Sequence, residues 1–311
     1  MKLAEVKTLT EFKQITLDDK EIYNNYKMKC SPRGCEYNFV NLFIWGKQHI
    51  AIKNNNVLIF SQFGNYKLYL FPIGTGDKKA AVDILISDSE EKNIPCRING
   101  MTEDEKAFLV ENYSDLFSYK LNRNGQDYVY LIDDLANLKG KKYQSKRNHY
   151  NRFKKEHPDF VIEPINEENL PLVKQMADKW YEDKIKKNPE ENFSSERSAL
   201  EKALENYKEL ELEGLVLICD NKIFAFTIAS RLSDDTMDVH FEKAVSDIHG
   251  AYAVINCEFA KYIQKKYPQI RFLDREEDMG VEGLRKAKLS YHPHHLVVKY
   301  NSCFSEGNNE N

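Results

Sequence analysis

Residues 237–244, MDVHFEKA, read as a strand that carries His240, Glu242 and Lys243. Side chains alternate along a strand, so His240, Glu242 and Ala244 fall on one face and Phe241 and Lys243 on the other. A carboxylate so placed can take the proton of an attacking amine or hydroxyl when partial burial lifts its pKa toward neutrality. Glu242 is a candidate for that role. The competing role is a structural ion pair with Lys243 or with an arginine of the next strand. Gly250 then opens a helix-like run from Ala251 to Lys266, with Tyr252 and Asn256 near its start. Free N–H groups and the helix dipole at such a start attract an anion.

A second strand-like run, Ile270 to Leu273, ends in Asp274-Arg275-Glu276-Glu277-Asp278. Acids before a helix cap its free N–H groups, but a pair such as Glu276 and Asp278 can also hold an amine. Arg275, set among four acids, can bind a carboxylate or a phosphate through two N–H groups. On the helix that follows, Arg285 and Lys288 stand three residues apart and share a side. Lys288 borders the apolar stripe of Leu284, Ala287 and Tyr291. It either receives an anionic group or snorkels to the surface.

Residues 139–155 hold Lys139, Lys141, Lys142, Lys146, Arg147, Arg152, Lys154 and Lys155 and no acid. Tyr143, His149, Tyr150 and Phe153 interleave with them. Cations neutralise phosphates and rings stack on bases, so Lys146, Arg147, Asn148 and Arg152 are candidates for holding a phosphate backbone. The alternative is a solvated helix face anchored by Tyr143, Tyr150 and Phe153. His292, His294 and His295 flank Pro293 with no acid or cysteine alongside, so no metal site is expected there.

The elements that position these residues occur twice in the same order. HIAIKNNNVLIFSQFG and GLVLICDNKIFAFTIAS each read as a hairpin around a short polar turn. A strand, a helix, a strand, a helix and a closing strand follow in each half. The closing runs are DYVYLI in the first half and HHLVVKY in the second. Thr102 and Glu105 have capping-box spacing at one of the helix starts. The repeated order argues for an old duplication: an α+β protein of two lobes, residues 1–145 and 146–311, each a mixed sheet flanked by helices. A basic bridge, about residues 139–157, joins them.

The 311 residues, 41% of them hydrophobic, suffice for two cores. A net charge of −4 leaves nucleic-acid or membrane binding to local patches. The six cysteines form no CxxC pair, which predicts reduced thiols and no zinc site. The N-terminus has no signal-like apolar core, and no apolar run reaches membrane-spanning length. A cytoplasmic protein is expected.

Each lobe resembles the GNAT acyltransferase fold, and the pair resembles the tandem-GNAT arrangement. KGKKYQSKRNHYNRF, HFEKA, GAYAVIN, REEDMGVEGLRKAKLSYHP and VVKY are similar to the C-terminal-domain family of phosphatidylglycerol lysyltransferases. The resemblance covers roughly residues 10–300 and implies a bacterial-type aminoacyl transferase. The donor would be charged tRNA, and the acceptor a lipid head group or a peptide or cell-wall precursor. It implies Glu242 as base, Glu276 and Asp278 as ligands of the donor amine, and Arg275 and Lys288 as anion stabilisers. His240, Lys243, Gly250, Tyr252, Asn256, Arg285 and Tyr291 would contact substrate. A GNAT enzyme binds the coenzyme A pyrophosphate at Arg or Gln, two residues, Gly, one residue, then Gly or Ala. Asp247, Gly250 and Tyr252 occupy that pattern here, and the acid and the ring both disfavour pyrophosphate. N-acetylation from acetyl-CoA is therefore the alternative reading. A module that binds tRNA or a charged metabolite without turnover is the other.

Overall fold

The computed structural model describes residues 10–30, 33–245 and 247–305. The chain begins with β1 (Lys13–Gln14), α1 (Lys20–Cys30) and α2 (Phe39–Ile44). Next come β2 (Gln48–Lys53), β3 (Asn56–Phe63), β4 (Tyr66–Leu70), β5 (Ile73–Gly74), α3 (Lys78–Glu91), β6 (Arg97–Met101), α4 (Glu103–Tyr113) and β7 (Phe117–Leu121). β8 (Asp127–Leu131), α5 (Ile132–Asn137), α6 (Gln144–Glu156), β9 (Val161–Pro164), α7 (Leu170–Lys187) and α8 (Ser194–Glu205) follow. The last elements are β10 (Glu213–Cys219), β11 (Lys222–Arg231), β12 (Thr236–Ala244), α9 (Ala251–Lys266), β13 (Phe272–Asp274), α10 (Glu282–Leu289), β14 (His295–Val297) and β15 (Tyr300–Phe304).

Local chemistry explains most of these bounds. Both hairpin turns have two residues in the left-handed region, Asn54-Asn55 and Asp220-Asn221, as a tight turn between twisted strands requires. Thr102 and Glu105 close a capping box at the start of α4. Asp77 caps α3 by accepting from the Lys79 and Ala80 N–H groups.

The chain divides into two compact units. Unit 1 comprises residues Met1–Pro32, Gly46–Gly125 and Val298–Asn311. Its sheet runs β1-β2-β3-β4-β6-β15-β7, with β5 beside β3 and one parallel pair, β4 and β6. Leu58, Tyr69, Val82, Leu85, Ile98 and Leu109 lie in its core.

Unit 2 comprises Arg33–Trp45 and Gln126–Val297. Its sheet runs β14-β8-β13-β12-β11-β10-β9, again with one parallel pair, β12 and β13. The core gathers Tyr128 and Tyr130 of β8, Leu215 and Leu217 of β10, Phe153 of α6, and Val254, Phe259 and Ile263 of α9.

The boundary expected at residue 145 falls inside unit 2, because both expected closing runs, β8 and β14, lie in the unit 2 sheet, where they pair with each other. β8, the run that should close the first half, pairs with β13 and β14 in unit 2. β15, near the end of the chain, pairs with β6 and β7 in unit 1. The segment 139–157 also belongs to unit 2, where Phe153 and Tyr143 are fully buried. Among the described residues no helix is long and apolar enough to cross a membrane.

Candidate active site

β12 and β13 pair in parallel over only three residues each, Thr236–Asp238 against Phe272–Asp274. Beyond Asp238 the strands no longer pair, and Glu242 lies in that notch. Its Oε1 accepts from Arg275 Nη2 at 2.8 Å and its Oε2 from Asn256 Nδ2 of α9 at 3.2 Å. The Arg275 guanidinium lies 5.6 Å from the Tyr130 ring centroid and 5.0 Å from that of Tyr291. Burial opposes its charge, and Glu242 beside it restores that charge and raises its pKa. Three polar atoms around this carboxylate are buried with no hydrogen-bond partner among the described residues. They are Arg275 Nη1, Asn256 Oδ1 and Thr227 Oγ1. Thr227 is the cross-strand partner of Glu242. A buried unsatisfied group costs about 1–3 kcal/mol, so three at one carboxylate mark a place that a ligand would complete.

Lys146 reaches the same place from α6. Its Nζ donates to Ser290 Oγ at 2.7 Å and stands 3.8 Å from the Tyr291 ring centroid. Burial and the Arg275 charge push its pKa down to about 8, against the pull of Glu242. Arg147 and Arg152 of the basic segment are engaged elsewhere. Arg147 donates to the carbonyls of Leu138 and Gly140, Arg152 pairs with Glu156 at 2.8 Å, and Asn148 is exposed.

A second polar group surrounds His240. The register passes from Ile228–Phe241 to Ala229–Val239, so His240 is the extra residue of a β-bulge. Its Nε2 meets Ser230 Oγ at 2.8 Å, and its Nδ1 meets Asn41 Oδ1 at 3.1 Å and Glu276 Oε1 at 3.2 Å. Asp238 Oδ2 accepts from Asn38 Nδ2 at 2.9 Å and Asn41 Nδ2 at 3.4 Å. Burial, then the charges of Glu276, Asp274 and Asp127, drives the Asp238 pKa well above the usual carboxylate range. Glu276 is pushed up by burial, but hydrogen bonds from His240 and Asn41 prevail and hold it below its ordinary value. His240 and Glu242, expected on one face, thus serve two separate hydrogen-bond groups.

The loop between β13 and α10 is pinned from beneath. Lys288, 8% exposed, donates its ammonium to the carbonyls of Arg275, Glu276 and Glu277. That cage holds Glu276 in a left-handed conformation, φ 56°. Asp278 is filled: it accepts from Tyr128 Oη, the Gly280 N–H and two nitrogens of Arg285 at 2.8 and 2.9 Å. The Glu276 side chain stays 19% exposed, while that of Asp278 is fully buried. Lys243 pairs with Glu196 at 2.6 Å and lies 3.8 Å from the Trp180 ring. Gly250 has φ +89°, and a Cβ there would meet the His149 carbonyl oxygen at 2.5 Å. Tyr252 is exposed on the first turn of α9.

Sequence reasoning missed Asn38, Asn41, Ser230, Asp238 and Cys35. Asn38 and Asn41 had one signal, two amides in the otherwise apolar run NFVNLFIW. Cys35 donates to Asp127 and Glu277 at 3.3 and 3.2 Å. Candidate ligand atoms of Cys35, Asp127 and Glu277, and of Asp238, His240 and Glu276, lie within 4.8 Å of one another. Cys35 bonds both acids of its trio, and in the other trio His240 bonds Glu276. His292 bonds to the Lys142 carbonyl, and His294 contacts His295.

A mixed sheet with a single short parallel pair, a helix opened by a glycine turn and helices on its faces is the GNAT-like acyltransferase fold. Residues 28–303 match the family described as phosphatidylglycerol lysyltransferase, C-terminal, and the chain belongs to that family. A conserved protein of unknown function from Bacteroides thetaiotaomicron is 37% identical, with a TM-score of 0.90 over 96% of this chain and 100% of its own. L-PGS from Bacillus licheniformis has the same fold at 15% identity, with a TM-score of 0.64 over 96% of this chain and 94% of its own. An uncharacterised protein of Mycoplasmoides gallisepticum is 22% identical over 181 residues, 58% of this chain. The chain spans about half, 56%, of the length of that curated relative. Family and fold are those of acyltransferases.

Proposed function

We propose that this protein transfers an aminoacyl group from charged tRNA to an amine or hydroxyl acceptor. The observation that carries the reading is Glu242 in the strand notch, bridged by Arg275 and Asn256 and ringed by unpartnered polar atoms. The acceptor attacks the ester carbonyl, and its proton passes to Glu242. The tetrahedral intermediate collapses with release of the ribose hydroxyl, which regains a proton. Arg275 Nη1 offers an N–H to an anionic oxygen of a substrate, and Glu276 holds the donor amine in preference to the filled Asp278. Exposed cations of the basic segment, Lys154 and Lys155 among them, supply phosphate contacts to the tRNA. Membership of the lysyltransferase family supports the donor class. The departure of Asp247 and Tyr252 from the pyrophosphate pattern argues against coenzyme A.

The test is single-turnover loss of radiolabelled aminoacyl-tRNA ester with a panel of acceptors. Transfer that drops about a hundredfold in Glu242→Gln is expected for a lost general base. Acyl transfer from acetyl-CoA alone, or binding of tRNA with no ester loss under any acceptor, would sink this reading.

A further inference from the structure

The notch holds two kinds of unsatisfied chemistry side by side. On one flank are cations. Lys146 Nζ and the Arg275 guanidinium both stack on Tyr291, at 3.8 and 5.0 Å from its centroid. Two cations against one ring repel each other, and Glu242 offsets one of the two charges. One positive charge is left over, with a buried Arg275 Nη1 that has no partner among the described residues. On the other flank are acceptors. Asn256 Oδ1 and Thr227 Oγ1 are buried and also unpartnered, the first on the amide that donates to Glu242 and the second on its cross-strand neighbour.

We propose that this notch binds a free α-amino acid as the acyl acceptor. Its carboxylate lies between Lys146 and Arg275, and its amine faces Glu242, Asn256 and Thr227. The inference rests on the notch being the reacting site, as argued above, and specifies its acceptor. A carboxylate cancels the surplus charge, each oxygen taking one cationic donor. An amine one carbon away donates to the acceptors and stands beside the base that must take its proton. The carboxylate cannot belong to the donor's α-carboxyl, which is tied up as an ester. The reaction then forms an amide bond between the donor's carbonyl and the amine, releases the ribose hydroxyl and yields a dipeptide.

Binding can be read without any donor, so failure of aminoacyl transfer and failure of this inference are separate results. The experiment is calorimetry and thermal shift with free amino acids, their α-amides and glycerophosphoglycerol as probes. At least one free amino acid should raise the melting temperature, and its amide should bind about tenfold more weakly, the worth of one charged hydrogen bond. Lys146→Gln should erase that discrimination and Lys146→Arg should restore it, which a purely structural role would not do. Affinity should also fall as pH rises past about 8, where Lys146 loses its proton. The charged or titratable groups that face Lys146 are Arg275, Glu242 and Tyr291, with His149 along its own helix. Equal binding of acid and amide, binding of glycerophosphoglycerol alone, no binding of any amino acid, or an unchanged Lys146→Gln variant would each overturn the proposal.

Discussion

Arg275 gives Nη2 to Glu242 at 2.8 Å and leaves Nη1 buried with no hydrogen-bond partner among the described residues. One guanidinium therefore holds the candidate base and faces a ligand at once. Arg275→Lys keeps the charge but cannot serve both directions, because an ammonium lacks the fork. We expect kcat/KM for transfer to fall about ten- to a hundredfold, the worth of one charged hydrogen bond. The melting temperature should move by only a few degrees. Full activity in Arg275→Lys, measured by ester loss, would remove Nη1 from the site.

Asp278 makes a different prediction, about stability. Arg285 beside it holds its carboxyl well below the usual range, against a smaller push from burial, with Tyr128 and the Gly280 N–H helping. A carboxyl depressed in the folded state contributes stability above its unfolded pKa, and that stability is lost as pH falls through the folded value. Asp278→Asn should cost about 1–3 kcal/mol at pH 7 by breaking a filled hydrogen-bond set. The deficit relative to wild type should shrink below about pH 4, near the unfolded aspartate pKa. Denaturation midpoints across pH 3–7 check this, and a deficit that stays constant would contradict it.

Gly250 tests the backbone rather than the charges. Its φ of +89° and the 2.5 Å approach of the His149 carbonyl to a built Cβ leave no room for alanine. Gly250→Ala should lower stability by about 1–3 kcal/mol, the cost of a strained left-handed residue together with a displaced α6. Chemical denaturation reads this directly. A variant as stable as wild type would mean that α6 yields freely at His149.

The strands and helices were legible because periodicity and turn residues are local. Asn54-Asn55 and Asp220-Asn221 announce their hairpins, and α9 begins and ends at Ala251 and Lys266 as the pattern predicts. The placement of β8 in unit 2 was not legible, since DYVYLI says only that it is a strand and not which sheet it joins; HHLVVKY supplies β14, which stays in unit 2, while β15 lies just beyond it. Site residues divide the same way. The adjacency of Glu242 and Arg275 follows from two neighbouring strands, one of the two pairings foreseen for Glu242. The bulge at His240 depends on a register shift, and alternation cannot show it. Lys288 reads as an anion ligand or a snorkelling surface cation, and it is neither, because sequence cannot reveal that three carbonyls of one loop surround its ammonium. Asn38 and Asn41 meet Asp238 only across a sequence separation of about 200 residues.

Asp238 supplies the sharpest test of the His240 group. Burial and three neighbouring carboxylates raise its pKa in the folded state, the reverse of Asp278. Between the unfolded pKa and the raised folded value, the native protein holds a proton that the unfolded chain releases. Stability must then decline as pH rises through that window, because the native state binds more protons. Asparagine resembles the protonated acid in shape and can still accept from Asn38 and Asn41 through its oxygen. Asp238→Asn should therefore remove this decline and be more stable than wild type at pH 8, with the gain shrinking toward pH 4. Thermal midpoints of both proteins across that range decide it. If Asp238→Asn is less stable at pH 8, the carboxylate is ionised in the fold and His240 stands opposite two negative charges rather than one.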